Sequence, residues 1–350
     1  MRPDAATLPG LSLEDLSRIL GSATRARSAR RWLYAARPLP ASLPPAIHGV
    51  ARAAWSKLLE SAPMPEWRLV QRSRSADGTV KYALDLRGAL VETVLIPGRG
   101  RSTVCVSSQA GCTRSCRFCA TATLGFARNL DAGEIVLQYA LARAEAPASA
   151  PARNVVFMGM GEPLDNLDQV LRAVELLTDE AEPRLSASHI TVSTSGVLPG
   201  MRRFLREGRG QLALSLNATT DEQRAKLVPH NATWPIAALL GALREDQRRG
   251  SGRRCFIEYV MWDGLNDTEE DARRLVGLLE GLPAHVNLIP HNPFPGSGLR
   301  PSPPDAVRRF QRQLAAAGIR CLVREPRGRD IAAACGQLAG LVAGASGTVA

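Results

Sequence analysis

Apolar residues between Ser12 and about residue 65 recur with the three-to-four spacing of amphipathic helices. "SLEDLSRIL" opens on Ser12, a good N-cap type, and Glu14 and Asp15 fall in the first turn, where negative charge suits the helix dipole. "ATRARSARRWLYAA" and "AIHGVARAAWSKLLES" predict two more helices, separated by the Pro-rich "RPLPASLPP". The rhythm then shortens to two. "VKYALDLR" (80–87) and "LVETVLIP" (90–97) alternate apolar and polar residues around Gly88, as in a hairpin, and "STVCVSS" (102–108) is a third strand.

Beyond this point strand and helix patterns alternate. The strand-like runs are "NVVFMG" (154–159), "HITVST" (189–194), "QLALSLN" (211–217), "CFIEYVMW" (255–262), "HVNLIP" (285–290) and "IRCLVR" (319–324). Helical patterns between them include 131–145, 166–179, 235–249, 268–281 and 303–317. Such alternation predicts an α/β fold with parallel strands joined by right-handed crossovers. Six or seven units suit a partial (β/α) barrel, whose chemistry would sit at the carboxyl ends of the strands. "GMGEP", "STSG", "SLNA" and "IPHNP" all fall there. No repeat of 20–50 residues and no long linker interrupts the pattern; "AEAPASAPA" (144–152) is a loop. The expected division is a basic helical module over 1–75 and a catalytic core with a β extension over 76–350.

Composition narrows the partners. Of 350 residues, 45% are hydrophobic and 22% charged, ordinary for a globular protein. No apolar run reaches membrane-spanning length, and the start lacks a signal peptide's apolar stretch, so the chain reads as cytoplasmic. The net charge of +11 suggests a polyanion, with nucleic acid the first candidate against a merely solvated basic surface. Arg25, Arg27, Arg30 and Arg31 cluster in one helical stretch and are candidate phosphate contacts.

The seven cysteines are an odd number in a long chain of intracellular character, which argues against a disulfide framework. Cys112, Cys116 and Cys119 lie in "GCTRSCRFCATA" with spacing C-x3-C-x2-C. A closed zinc site wants a fourth ligand, and none lies nearby in sequence. A four-iron cluster on three cysteines leaves one iron free for a small molecule. "GMGEP" (159–163) adds two glycines, which let backbone approach a ligand, and Glu162, a carboxylate for an ammonium.

This spacing, with Phe118 before the last cysteine, resembles the radical S-adenosylmethionine (SAM) superfamily. In order along the chain, "TVCVSSQAGCTRSCRFCATATLGFARNL", "FMGMGEPLDN", "TVSTSGVLP", "NLIPHNPFPG" and "RGRDIAAACGQLAG" resemble the RlmN/Cfr family of radical SAM RNA methyltransferases, from about Leu90 to Leu341. The basic N-terminal module fits that family's accessory domain.

The resemblance implies one [4Fe–4S] cluster on Cys112, Cys116 and Cys119, with SAM chelating the free iron and two SAM consumed per turnover. Gly161, Glu162, Ser193, Ser215, Leu216, Asn217 and Asn292 match SAM-contacting positions, although Asn217 stands where many relatives have His. Cys335 matches a cysteine that is methylated by one SAM. A radical from the second SAM takes a hydrogen from that methyl group, and the resulting methylene radical adds to an adenine ring. Glu92 matches the proton acceptor and Cys105 the cysteine that releases the crosslink, leaving a Cys105–Cys335 disulfide. The expected substrate is carbon 2 of adenosine in 23S ribosomal RNA, with transfer RNA open as a second. An electron donor such as flavodoxin or ferredoxin and a thiol reductant are further partners, and the expected state is a monomer. From the residues alone, Cys105 and Cys335 could be small buried residues and Glu92 an outward strand residue. Carbon 8, another radical SAM substrate, or a non-catalytic metal-stabilised RNA-binding protein are the alternative readings.

Overall fold

A computed structural model describes residues 7–35, 39–40, 43–229 and 233–339. Ala36, parts of the Pro-rich stretch 37–45, and Gly340 and Leu341 at the end of the family resemblance lie outside the described residues.

Three helices open the chain: α1 (Leu13–Leu20), α2 (Ala23–Leu33) and α3 (Arg52–Ser61). Ser12 caps α1 as expected. Its hydroxyl accepts from the Asp15 amide at 3.0 Å, while the Asp15 carboxylate accepts from the Ser12 amide at 3.1 Å, a reciprocal capping box. The helix expected over 46–61 starts only at Arg52. Gly49 has φ +80°, and its segment forms a tight bridge from Ile47 to Val50 instead. Leu16, Trp55 and Leu58 are buried in a small core belonging to this module.

Next come β1 (Trp67–Arg74), β2 (Val80–Leu86), β3 (Ala89–Pro97) and β4 (Ser102–Cys105), each antiparallel to its neighbour. The β2–β3 turn is Arg87-Gly88, both at positive φ (49° and 79°), which matches the twist of a two-residue hairpin. No strand was expected before Val80. β1 lies within the 1–75 segment yet pairs in the sheet, so the helical part of that segment ends at α3.

β5 (Gln109–Gly111) and β6 (Phe126–Asn129) form a two-stranded ribbon on either side of the cysteine loop. The alternating region follows. It comprises α4 (Ala132–Arg143), β7 (Ala152–Phe157), α5 (Leu167–Thr178), β8 (Ile190–Thr194), α6 (Leu198–Glu207) and β9 (Gln211–Ser215). α7 (Asp221–Leu227), α8 (Ile236–Arg248), β10 (Cys255–Met261), α9 (Glu269–Leu279), β11 (Ala284–Pro290), α10 (Pro304–Ala316) and β12 (Arg320–Val323) complete it. The ten-stranded sheet runs β1-β2-β3-β4-β7-β8-β9-β10-β11-β12. All pairs from β4 to β12 are parallel.

This is the expected partial barrel. Between β12 and the β1–β3 edge runs the chain's C-terminal segment. Asp330 accepts from Ser75 Oγ at 2.6 Å, Arg327 Nε donates to Asp77 at 2.9 Å, and Lys81 Nζ donates to the Ala332 carbonyl at 3.2 Å. These contacts hold the segment containing Cys335 against the barrel.

Arg30 ties the helical module to that barrel. Its guanidinium is buried and donates to the carbonyls of Glu182 (2.9 Å), Leu11 (3.2 Å) and Leu176 (2.6 Å), with Asp179 at 3.8 Å. It is therefore not a phosphate contact: burial takes it out of reach. Arg25, Arg27 and Arg31 of the same helix are exposed.

Candidate active site

Two cavities follow one another along the barrel interior. The upper one, about 150 Å³, lies at the carboxyl ends of the strands. The deeper one, about 620 Å³, reaches back toward their amino ends. Met158, Glu258, Ile289, Asn292 and Cys335 line both.

Cys112, Cys116 and Cys119 all line the upper cavity. They sit on the loop between β5 and β6, pinned at its base where the Cys112 amide donates to Gly125 O at 2.9 Å. Arg114, inside the cysteine motif, forks onto Asp165 with Nε at 2.6 Å, and Thr113 also donates to Asp165. That clamp fastens the loop to the segment following "GMGEP". Burial pushes the Cys112 thiol up to about 12 and raises Cys116 further, and the other cysteines add to both. Such crowding of thiols is relieved when they ligate metal as thiolates.

The site fits an iron–sulfur cube better than a single ion. Among the described residues, no group of three His, Cys, Asp or Glu converges to hold one metal ion. Sulfurs on one tetrahedral zinc would lie roughly 4 Å apart, given bonds of about 2.3 Å. Three thiols lining one cavity, with no fourth protein ligand among the described residues, match the ligand number of a cube with an open fourth position.

Facing them is Glu162, buried, with Oε2 accepting from the Ser195 amide (2.8 Å) and hydroxyl (2.7 Å) and Oε1 from the Leu164 amide (3.0 Å). Burial raises its pKa, opposed by the Ser195 hydrogen bonds. A cation arriving beside it, such as an ammonium, would be stabilised strongly in this setting. The glycines before it, Gly159 and Gly161, line the same cavity. A Cβ on Gly161, at φ +100°, would lie 2.6 Å from Gln109 Cβ, and one on Gly159 would lie 2.8 Å from Val106 O. They therefore also permit close packing against the strand-to-loop segment 106–109.

Ser193 and Ser215 line the same cavity with hydroxyls 3.4 Å apart, and Asn292 lines it with Nδ2 on the Cys335 carbonyl at 3.2 Å. Leu216 and Asn217 do not line it. Leu216 is in the core. Asn217, left-handed at φ +62°, accepts from the Val260 amide at 2.9 Å through Oδ1 and from Asn266 at 2.8 Å through its carbonyl. Its side chain fastens β9 to β10.

Cys335 and Cys105 meet at the deeper cavity. The Cys335 thiol is accessible to the cavity interior, and burial by the barrel, then the Glu258 charge, pushes it up to about 11. Cys105, at the end of β4, is buried, and its thiol is raised by that burial and next by Cys335. Glu92 lines neither cavity. It is fully buried, paired with Lys81 Nζ at 2.8 Å and accepting from the Ala339 amide at 2.9 Å. Cys255 and Cys321, read as core residues, lie in β10 and β12, the first buried and the second partly so.

Several lining residues went unnoticed in the sequence. Glu258 stands on the barrel side of β10, and His291 lines the upper cavity; buried Trp262 lies between it and Phe118, the aromatic already marked in the cysteine motif, with ring centroids 5.5–5.8 Å apart. Burial, then Arg329, lowers the His291 pKa to about 4, so its imidazole is neutral. Arg101, Arg254, Arg324 and Arg327 line the deeper cavity.

These features define a radical SAM enzyme. The Radical SAM superfamily matches residues 106–276. A crystal structure of a radical SAM methyltransferase from Sphaerobacter thermophilus superposes with TM-score 0.89 at 39% identity, covering 96% of this chain and 100% of that one. The "Dual-specificity RNA methyltransferase RlmN" of Anaeromyxobacter dehalogenans is 47% identical, covering 96% of this chain and 92% of the relative. The protein of the same name from Paracoccus denitrificans is 49% identical over 79% of this chain and 73% of its own length. The chain belongs to the RlmN/Cfr family of radical SAM RNA methyltransferases and is a SAM-dependent RNA methyltransferase. Among the described residues, no helix is long and apolar enough to cross a membrane.

Proposed function

We propose that the protein methylates carbon 2 of an adenosine in 23S ribosomal RNA and in transfer RNA, through an S-methyl group on Cys335 and a transient bond from that residue to the base. The observation that carries this reading is the shared position of Cys335, between the cavity of the three cysteines and the deeper cavity containing Cys105. Dual specificity, as the relatives' name has it, suits a site that reads a flipped base rather than one RNA fold. The four arginines of the deeper cavity suit the phosphates flanking such a base. Exposed Arg25, Arg27 and Arg31 on the helical module of residues 1–75 offer further positive charge to an RNA.

Carbon 2 of adenine is not a nucleophile, so direct methyl transfer to it is closed. Cys112, Cys116 and Cys119 would hold a [4Fe–4S] cluster, which with SAM would supply a hydrogen-abstracting carbon radical. Glu162 would hold the ammonium of SAM, and Ser193, Ser215 and Asn292 would bond its ribose and carboxylate. Gly161, Leu216 and Asn217 set the backbone around those contacts. Cys335 offers the methyl carbon to the base. Glu92 takes the ring proton once the strap at Ala339 and the Lys81 pair release it. The Cys105 thiolate then attacks the Cys335 sulfur, breaking its bond to the methylene carbon on the base and forming a disulfide. Each turnover uses two SAM, an external electron donor of the flavodoxin or ferredoxin kind, and a thiol reductant. An RNA substrate of this kind places the work in the cytoplasm, and the reading needs only a monomer.

The test is nucleoside mass spectrometry of ribosomal and transfer RNA from a strain lacking the gene. Loss of 2-methyladenosine from both is expected; loss of 8-methyladenosine instead would overturn the choice of carbon.

A further inference from the structure

We propose that Glu258 is the proton acceptor for the Cys335 thiol when that thiol takes up its methyl group. This rests on the S-methylcysteine reading above. That reaction releases a proton at two points, from the thiol and from the ring carbon. Glu92 serves the ring carbon, and it lines neither cavity. The thiol has no acceptor in that scheme.

Glu258 sits where one is needed. It stands on β10 in register with Ser215 on one side and Asn287 on the other, and it lines both cavities together with Cys335. Oε1 is fixed by Asn287 Nδ2 at 2.8 Å, which leaves Oε2 without a hydrogen-bond partner among the described residues. Asn292 holds the Cys335 backbone through its carbonyl, so the thiol is presented into the cavity that Glu258 lines. The other ionisable groups around the two cavities are Arg101, His189, Arg254, Arg324, Glu325 and Arg327 in the deeper one, Glu162 and His291 in the upper one, Cys119 on the cysteine loop and Cys105 on β4. The arginines are protonated at neutral pH, the two thiols are poor acceptors while they carry their protons, and His291, its pKa lowered by burial, is a weak base, whereas an ionised carboxylate can take up the proton. Burial raises the Glu258 carboxyl and the Cys335 thiol together, which keeps proton transfer between them feasible.

The step balances. The thiol proton passes to Glu258 Oε2, directly or through one water. The sulfur electron pair forms the new S–CH3 bond. The methyl group leaves the sulfonium of SAM, whose bonding electrons stay on sulfur, giving neutral S-adenosylhomocysteine and a protonated Glu258. No oxidant or reductant takes part.

The test uses cluster-reconstituted protein bearing an unmethylated Cys335, given SAM with a labelled methyl group and no reductant, so that only this transfer occurs. Mass spectrometry of the Cys335 peptide reads the rate from pH 7 to 9. In the unaltered protein the rate is expected to be nearly flat. In Glu258→Gln it should fall at least tenfold at pH 7 and then climb about tenfold per pH unit, because transfer must wait for the thiolate. Glu258→Asp should restore part of the rate and the flatter profile. A second readout needs no SAM: the pH midpoint for iodoacetamide labelling of Cys335 should move down in Glu258→Gln, as a neighbouring negative charge is lost. An unmoved midpoint, or a flat transfer profile in Glu258→Gln, overturns the proposal. Label failing to reach Cys335 in the unaltered protein would instead overturn the S-methylcysteine reading on which it rests.

Discussion

The Gly336 carbonyl accepts a hydrogen bond from the Ala120 amide at 2.8 Å. This one bond joins the residue after Cys335, the proposed methyl carrier, to the residue after Cys119, the last of the proposed cluster ligands. Thr121 Oγ1 adds a second, to Leu338 O at 2.6 Å. The spacing between the cysteine loop and the Cys335 segment is thus set by these contacts, and the proposed hydrogen transfer between a cluster-bound SAM and the Cys335 methyl would depend on it.

Gly336 itself makes the contact possible. It has φ +84°, and a Cβ there would lie 2.9 Å from Phe118 O. Gly336→Ala should cost about 1–3 kcal/mol of local strain and displace Cys335 from the junction of the cavities. RNA methylation is expected to fall at least tenfold, with iron content per chain unchanged. Full activity in this variant would show that the contact does not position the carrier.

Iron content tests the ligands separately. The unaltered protein, reconstituted without oxygen, should hold about four irons on three cysteines. Cys112→Ala, Cys116→Ala and Cys119→Ala should each lose the cluster and with it SAM cleavage, measured by iron and sulfide assay. Cys255→Ala and Cys321→Ala should retain both.

The helix α2 arginines should divide into two classes. Arg30→Ala leaves three carbonyls without their donor and should destabilise the fold by about 3 kcal/mol, read as a lower midpoint in urea. Replacing Arg25, Arg27 and Arg31 together should leave that midpoint within about 0.5 kcal/mol. It should instead weaken RNA binding and make it less dependent on salt, because counterion release scales with phosphate contacts. An unchanged salt slope would assign the module another role.

The case of Arg30 shows where the sequence stops being legible. Its spacing matched its three exposed neighbours, and only the packing of α2 on α5 separates it from them. The cysteine motif was legible because its chemistry is local, and the hairpin because Gly88 marks its turn. β1 was not: as an edge strand with a bulge between Leu69 and Gln71, and no fully buried position, it lacks an apolar run. α6 carries Pro199 and Gly200 near its start, which read as turn residues, and α7 is only seven residues long. Glu258 was hidden because β10 is buried on both faces, so a lone charge there does not break a two-residue alternation. Asn217 matches a SAM-contacting position only through the family resemblance, and nothing in "SLNA" announces its left-handed backbone.

Release of the RNA should speed up with pH. Burial and the nearby Cys335 raise the Cys105 thiol above its ordinary range, so at pH 7 little of it is thiolate. Below that raised pKa the thiolate fraction, and with it the resolution rate, should rise about tenfold per pH unit. Quenched single-turnover samples between pH 7 and 9 should show a shorter-lived protein–RNA adduct at higher pH. A lifetime independent of pH would mean that Cys105 ionisation does not limit the step.

Denaturing gel electrophoresis of the cysteine variants after incubation with RNA bears most directly on the roles assigned to this site. Cys105→Ala leaves methyl loading and radical addition intact but removes the resolving thiol, so a stable protein–RNA adduct should accumulate, attached through Cys335. Cys335→Ala removes the carbon that joins protein to base, so no adduct should form and no RNA should be methylated. An adduct in Cys335→Ala, or none in Cys105→Ala with its cluster intact, would contradict the account.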